Sequence, residues 1–147
     1  MLRAITESDI PQLCAIEIAT QLAPWPRETF EKCFQARGLG WVITQPVDKV
    51  IGFILVFIQV GECHILNLCV DPSQQRQGYG AQLVSQALAE AKQQGATIAY
   101  LEVRSSNENA IALYKKMGFS KIGERKGYYS AAEGREDAWV FAKKVIF

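Results

Sequence analysis

Between a strand-like run ending NLCVDP and a helix-like run AQLVSQAL lies the hexapeptide Gln75-Arg76-Gln77-Gly78-Tyr79-Gly80. A junction of this kind presents free backbone N–H groups at the positive end of a helix, where an anion such as phosphate is favoured. Two familiar phosphate loops are excluded. A P-loop needs a lysine after its last glycine and none follows here, while the dinucleotide fingerprint GxGxxG has Leu83 where its third glycine belongs. What remains is Q-x-x-G-x-G, in which small residues let the main chain approach a pyrophosphate and Arg76 adds charge. Glycines between strand and helix also serve simply as a tight turn, so the hexapeptide alone leaves both uses open.

Other reactive side chains are few. Cys14, Cys33, Cys63 and Cys69 are scattered without a CxxC pair, each among apolar neighbours, as expected of small buried hydrophobes rather than a disulfide framework or zinc site. His64 is the only histidine, so a triad or histidine-rich metal site would rest on it alone. In CHILNL it reads as a strand residue that packs or faces water. No metal site is expected.

The elements that position these residues follow from periodicity. LRAI reads as a short strand and SDIPQLCAIEIATQL as a helix, with Ser8 or Asp9 as N-cap, Pro11 in the first turn, and Ile10, Leu13, Cys14 and Glu17 as an imperfect stripe. A second helix starts after Pro26, with Phe30, Cys33 and Phe34 on one face. GWVIT, VIGFILVFIQV and HILNLCV are strands of an antiparallel meander, turned at QPVDK and around Gly61. A helix then carries Leu83, Val84, Ala87, Leu88 and Ala91 on one face and stops at Gly95. IAYLEV is a strand, NENAIALYKKMG a helix with Ala110, Leu113, Tyr114 and Met117 on its stripe, and FSKIGERKGYY and DAWVFAKKVIF are closing strands. The helical connection between HILNLCV and IAYLEV makes those two strands parallel inside a mixed sheet.

With 147 residues, 49% hydrophobic and 21% charged, the chain is expected to form a single folded domain over 1–147. VIGFILVFIQV is too short and too β-branched to span a bilayer and reads as a buried strand. The N-terminus lacks an uninterrupted apolar signal segment, so a cytoplasmic protein is expected. A net charge of +1 without a dense basic stripe argues against an electrostatic nucleic-acid surface.

The Q/R-x-x-G-x-G/A turn after a strand ending VDP, together with the element order, resembles the GCN5-related N-acetyltransferases. That resemblance implies an α/β (α+β) fold with a mixed, mostly antiparallel central sheet of about seven strands and helices on both faces. It implies acetyl-coenzyme A as cosubstrate, its pyrophosphate on Gln75, Arg76, Gln77, Gly78, Tyr79, Gly80 and Ala81, and its pantetheine arm on main-chain groups of Leu68, Cys69 and Val70 along a splayed strand. Asn107, by sequence an N-cap of the last helix, would also contact the cofactor. PWPRETF, LEVRSSNENAIALYKKMGF and YYSAAEGREDA are similar to the bacterial branch that acetylates the N-terminal alanine of a small-subunit ribosomal protein. The tail YY followed by EDA resembles enzymes acting on protein N-termini rather than small amines, the alternative on the same scaffold. Ser130 stands where relatives commonly have proline, and Gln77 where a basic residue is common.

Acyl transfer to an amine needs a neutral amine, a polarised carbonyl and a protonated leaving thiolate. A protein α-amine with a pKa of about 7.7–8.0 is partly neutral already, so a carboxylate acting through water suffices. By alternation Glu102 is an outward-facing strand residue; the resemblance makes it the proton acceptor. Tyr114, by its stripe a core residue with its hydroxyl tied off, matches the acid. Cys69 is not expected to carry the acyl group, because no histidine activates it and apolar surroundings raise its pKa. Trp25, Tyr128 and Tyr129 would wall a slot for a small first residue; Glu133, Glu136 and Asp137 read as solvated loop acids.

Overall fold

A computed structural model describes residues 1–131 and 134–145, with backbone only for Ser130 and Ala131. Seven strands form one sheet in the order β1-β2-β3-β4-β5-β7-β6, from β1 (Leu2–Ala4), β2 (Leu39–Gln45), β3 (Lys49–Gln59), β4 (Glu62–Val70), β5 (Ile98–Arg104), β6 (Ser120–Ala131) and β7 (Gly134–Lys144). Every neighbouring pair is antiparallel except β4 with β5. That exception follows from α3 (Tyr79–Gln93), which carries the chain back across the sheet so that β5 starts at the same end as β4.

The continuous apolar run of β3 is buried from Val50 to Phe53 and on to Val56, as a central strand covered on both faces must be. On one face Ile51, Ile54 and Val56 meet Leu83, Val84, Ala87 and Ala91 of α3, with Ile111 and Tyr114 of α4 (Glu108–Lys116) nearby. On the other, Phe53 and Leu55 meet Ile10, Leu13 and Ile16 of α1 (Ile10–Thr20) and Phe30 of α2 (Arg27–Gln35). The rings of Phe30 and Phe53 lie edge-on, 5.8 Å apart. Burying each side chain of this size contributes roughly 1.5–3 kcal/mol, so the two cores hold the sheet as a stiff partition.

Three expectations shift. Asp9 is the N-cap residue of α1, but its side chain makes no capping bond to that helix. Its carboxylate is buried and accepts from the two terminal guanidinium nitrogens of Arg3 at 2.8 Å and from the Thr6 backbone N–H at 2.8 Å. The buried stripe of α1 is Ile10, Leu13, Ile16 and Glu17, with Cys14 only half-buried. On α4 the buried residues are Ile111 and Tyr114, whereas Ala110 and Leu113 line a cavity beside α3. The stripe is rotated because one flank of this helix faces a cleft and not the core. Among the described residues no helix is long and apolar enough to cross a membrane.

Hydrogen bonding to Arg3 holds the Asp9 carboxyl below its ordinary range. A folded-state pKa below the unfolded one gives stability that is present above about pH 4 and lost as pH falls through the lower folded value. Asp9→Asn is therefore expected to cost about 1–3 kcal/mol at neutral pH. The deficit against wild type should shrink toward pH 2 in denaturant titrations, and a deficit independent of pH would contradict the pairing.

Candidate active site

The ladder between β4 and β5 runs only from Glu62–Ile65 against Ile98–Leu101. Beyond it β4 bulges, since Leu55 and Val56 of β3 face Asn67 and Ile65 and leave Leu66 as the extra residue. The strands then part. β3 still holds β4 as far as Val70, and β7 still holds β5 as far as Arg104. The wedge between them opens into two cavities, of about 500 Å³ beside α3 and about 260 Å³ between the strands, which share Gln21, Leu68, Asn107 and Ala110.

The larger cavity is lined by Gln75, Arg76, Gly78, Tyr79, Gly80 and Ala81, with Leu68, Cys69 and Val70 along its wall. The turn reaches α3 through Gly78 at φ 84°, a conformation that an L side chain resists, and the Gly78 carbonyl accepts the first helical bond from Gln82 N at 3.1 Å. The backbone N–H groups of Tyr79, Gly80 and Ala81 are the first-turn donors that the helix itself leaves free. They stand at the turn for which the hexapeptide leads one to expect an anion site. A Cβ on Gly80 would sit 3.1 Å from Leu113, so α4 packs tightly there. Gln75 Nε2 donates to the Val70 carbonyl at 3.0 Å and ties the turn to the end of β4. The Gln77 side chain turns toward Gln74, at 3.4 Å, and does not line the cavity. Asn107 caps α4 by accepting from Ala110 N at 3.2 Å and lines both cavities. Lys116 also lines this cavity, and nothing in the sequence singled it out.

The smaller cavity brings together Glu102, Tyr114, Trp25, Tyr128 and Tyr129. Glu102 is not simply turned to water. Its Oε1 pairs with Arg125 Nε at 3.1 Å, and its Oε2 is buried with no hydrogen-bond partner among the described residues. Tyr114 packs edge-on against Phe119, with centroids 5.7 Å apart. Its hydroxyl is not tied off by any described residue, and burial pushes its pKa well above the ordinary phenol value.

The tyrosine pair is presented by a distortion. Between Arg125 and Tyr129 strand β6 holds three residues opposite the single Asp137 of β7. Gly127, at φ 59°, donates its N–H to Asp137 Oδ1 at 2.9 Å, and Arg135 donates to the carbonyls of Gly127 and, at 3.2 Å, Tyr128. Asp137 and Glu136 are therefore strand residues with structural bonds, not solvated loop acids. Glu136 accepts from Ser106 N at 2.7 Å and pairs with Arg104 at 3.3 Å, and hydrogen bonding by Ser106 holds its carboxyl below the usual range. Arg104 in turn lies 4.6 Å from the Tyr129 ring centroid, and burial pushes the Tyr129 phenol up to about 12. Glu133 lies outside the described residues. His64 is half-exposed on β4, bonded to Glu62 at 2.9 Å and stacked on Tyr100.

Residues 10–119 match the acetyltransferase (GNAT) family. The [Ribosomal protein bS18]-alanine N-acetyltransferase of Escherichia coli K12 is 35% identical over 139 residues, 95% of this chain and 93% of the relative. The enzyme of that name from Haemophilus ducreyi is 36% identical over 97% of this chain and 98% of its own. The chain belongs to the GNAT family. The crystal structure of the ribosomal-protein-S18-alanine N-acetyltransferase from Escherichia coli superposes with a TM-score of 0.93 at 33% identity, covering 100% of this chain and 94% of that one. Arabidopsis thaliana NAA60 in complex with acetyl-CoA shares the fold, with a TM-score of 0.89 at 20% identity, over 98% of this chain and 97% of that one.

Within this GNAT cleft Cys69 departs from its expected surroundings. It is buried, yet its sulfur receives Gln21 Nε2 at 3.1 Å and Thr20 Oγ1 at 3.5 Å and lies 3.4 Å from Glu17 Oε1. Burial nonetheless dominates and pushes the thiol up to about 12. Iodoacetamide at about pH 8 should leave Cys69 unmodified in the folded enzyme and label it in denaturant, as read by peptide mass spectrometry. Rapid native-state labelling would show a thiolate and reopen a covalent route.

Proposed function

We propose that this protein is an acetyl-coenzyme A-dependent N-acetyltransferase that modifies the α-amine of a protein N-terminus beginning with alanine. The substrate suggested by the Escherichia coli and Haemophilus ducreyi relatives is a small-subunit ribosomal protein, met in the cytoplasm. The observation that carries this reading is the wedge between β4 and β5, which joins the glycine turn before α3 to a slot containing a buried carboxylate oxygen with no partner among the described residues.

In this reading the amides of the turn and the first turn of α3 hold the pyrophosphate, and the free edge of β4 along Leu68, Cys69 and Val70 aligns the arm and polarises the thioester oxygen. The acceptor amine enters between Trp25 and the Tyr128–Tyr129 pair. Its nitrogen forms the new C–N bond, the C–S bond breaks, and the amine proton passes to Glu102 Oε2 directly or through one water. Arg125 keeps Oε1 occupied, so that oxygen is the one free to receive it. Tyr114 returns a proton to the departing sulfur. Burial keeps this phenol protonated at neutral pH. The same burial makes it a weak acid, and transfer proceeds because burial disfavours a thiolate released beside it in the same way.

Mass spectrometry with peptides starting Ala, Ser, Met and Thr should show fastest transfer to alanine. Glu102→Gln should lower kcat about 10²-fold or more with acetyl-coenzyme A affinity nearly unchanged, and Tyr114→Phe should lower kcat while keeping the packing. Full activity in either variant would remove that residue from its role.

A further inference from the structure

Glu17 is a carboxylate where α1 has every reason to carry an apolar side chain. It is 1% exposed and continues the stripe of Ile10, Leu13 and Ile16. Burying a carboxylate costs several kcal/mol unless strong hydrogen bonds satisfy it. Both of its oxygens are so engaged. Oε1 accepts from Asn67 Nδ2 at 2.8 Å and from the Cys69 thiol at 3.4 Å, and Oε2 accepts from the Trp25 backbone N–H at 2.9 Å. The donors come from two segments, which also meet where Gln21 Nε2 reaches Cys69 Sγ at 3.1 Å. Asn67 directly follows the bulge at Leu66, on the stretch of β4 that has left β5, and Trp25 stands in the connection between α1 and α2 and lines the smaller cavity.

We propose that Glu17 is a positioning residue: its carboxylate clamps the main chain at Trp25 to the displaced segment of β4. The clamp fixes the wall of the acceptor slot against the strand that presents the thioester. This rests on the proposed entry of the acceptor beside Trp25. The carboxylate is needed because both contacts require an acceptor oxygen. Glutamine offers one acceptor and one donor, so Glu17→Gln either sets an N–H against an N–H at one of the two contacts or makes the Asn67 amide turn over and give up the Cys69 thiol that its Oδ1 accepts. The reciprocal pair Glu17→Gln with Asn67→Asp restores both: the introduced amide can accept from Trp25 through its oxygen while its nitrogen donates to the new carboxylate on β4. Asn67→Asp alone faces two carboxylates across a 2.8 Å contact.

The test uses full-length protein labelled with 5-fluorotryptophan, with the Trp25 signal assigned through Trp25→Phe among the three tryptophans. In Glu17→Gln the ¹⁹F signal of Trp25 should shift and broaden without any ligand. KM for an alanine-starting peptide should rise about tenfold with coenzyme A affinity by calorimetry within about twofold, and the double variant should recover both. If Glu17→Gln does not fold, Asn67→Ala, which removes one donor, should displace the same signal and raise the same KM. A Trp25 signal and KM unchanged in Glu17→Gln would overturn the clamp. So would a double variant that regains the Trp25 signal but not turnover, because charge at position 17 would then act in the chemistry itself. If the wild type acetylates no peptide, the functional reading fails, while the fluorine spectra still decide the clamp.

Discussion

The structure depends on a ladder that stops. After Ile65 and Leu101 the parallel strands β4 and β5 give up their pairing, and main-chain groups that a continuous sheet would satisfy face a cleft. Unmade hydrogen bonds of this kind are costly when dry, so such an edge persists only if each strand is held from its other side. Here the antiparallel neighbours β3 and β7 supply that hold, and two apolar cores clamp them against the helices. The wedge is therefore a fixed feature with rigid walls. The Leu66 bulge supplies the local bend, and the Gly78 turn lies at its open end on the α3 side.

Charge around the wedge is arranged to shape it and to leave one atom unsatisfied. Arg104 and Glu136 pair beneath Tyr129, Asp137 and Arg135 hold the widened strand that presents Tyr128, and Glu17 joins the first helix to β4. Each of these carboxylates is saturated by donors. Glu102 differs, with one oxygen on Arg125 and the other buried without a partner among the described residues. A carboxylate oxygen left this way in a protein interior is expensive, and its retention fits proton transfer better than fold stability.

The element order and the glycine turn before α3 were legible because they are local. The apolar runs have the periods of strands and helices, and the turn needs only neighbouring residues to place its glycines. Glu102 and Tyr114 were singled out only through family resemblance, since alternation alone sends one to water and the other to the core. Glu17 was visible only as a polar break in the stripe of α1. Its role depends on Asn67, 50 positions away, a pairing that no local pattern encodes. Glu136 and Asp137 were misplaced for the same reason, because their partners Ser106, Arg104 and Gly127 reach them only once β7 lies between β5 and β6. The rotated face of α4 belongs to a further class: Leu113 looks like core by period, and only the cleft beside α3 shows that it lines a cavity.

The most direct measurement is a crystal structure with a bisubstrate analogue that joins coenzyme A through an acetyl bridge to an alanine-starting peptide. The account predicts a pyrophosphate on the main-chain amides between Gln75 and Ala81, the bridge carbonyl against the free edge of β4, and the alanine nitrogen within reach of Glu102 Oε2. An analogue bound away from the wedge, or a β4–β5 ladder found closed beyond Ile65, would contradict it.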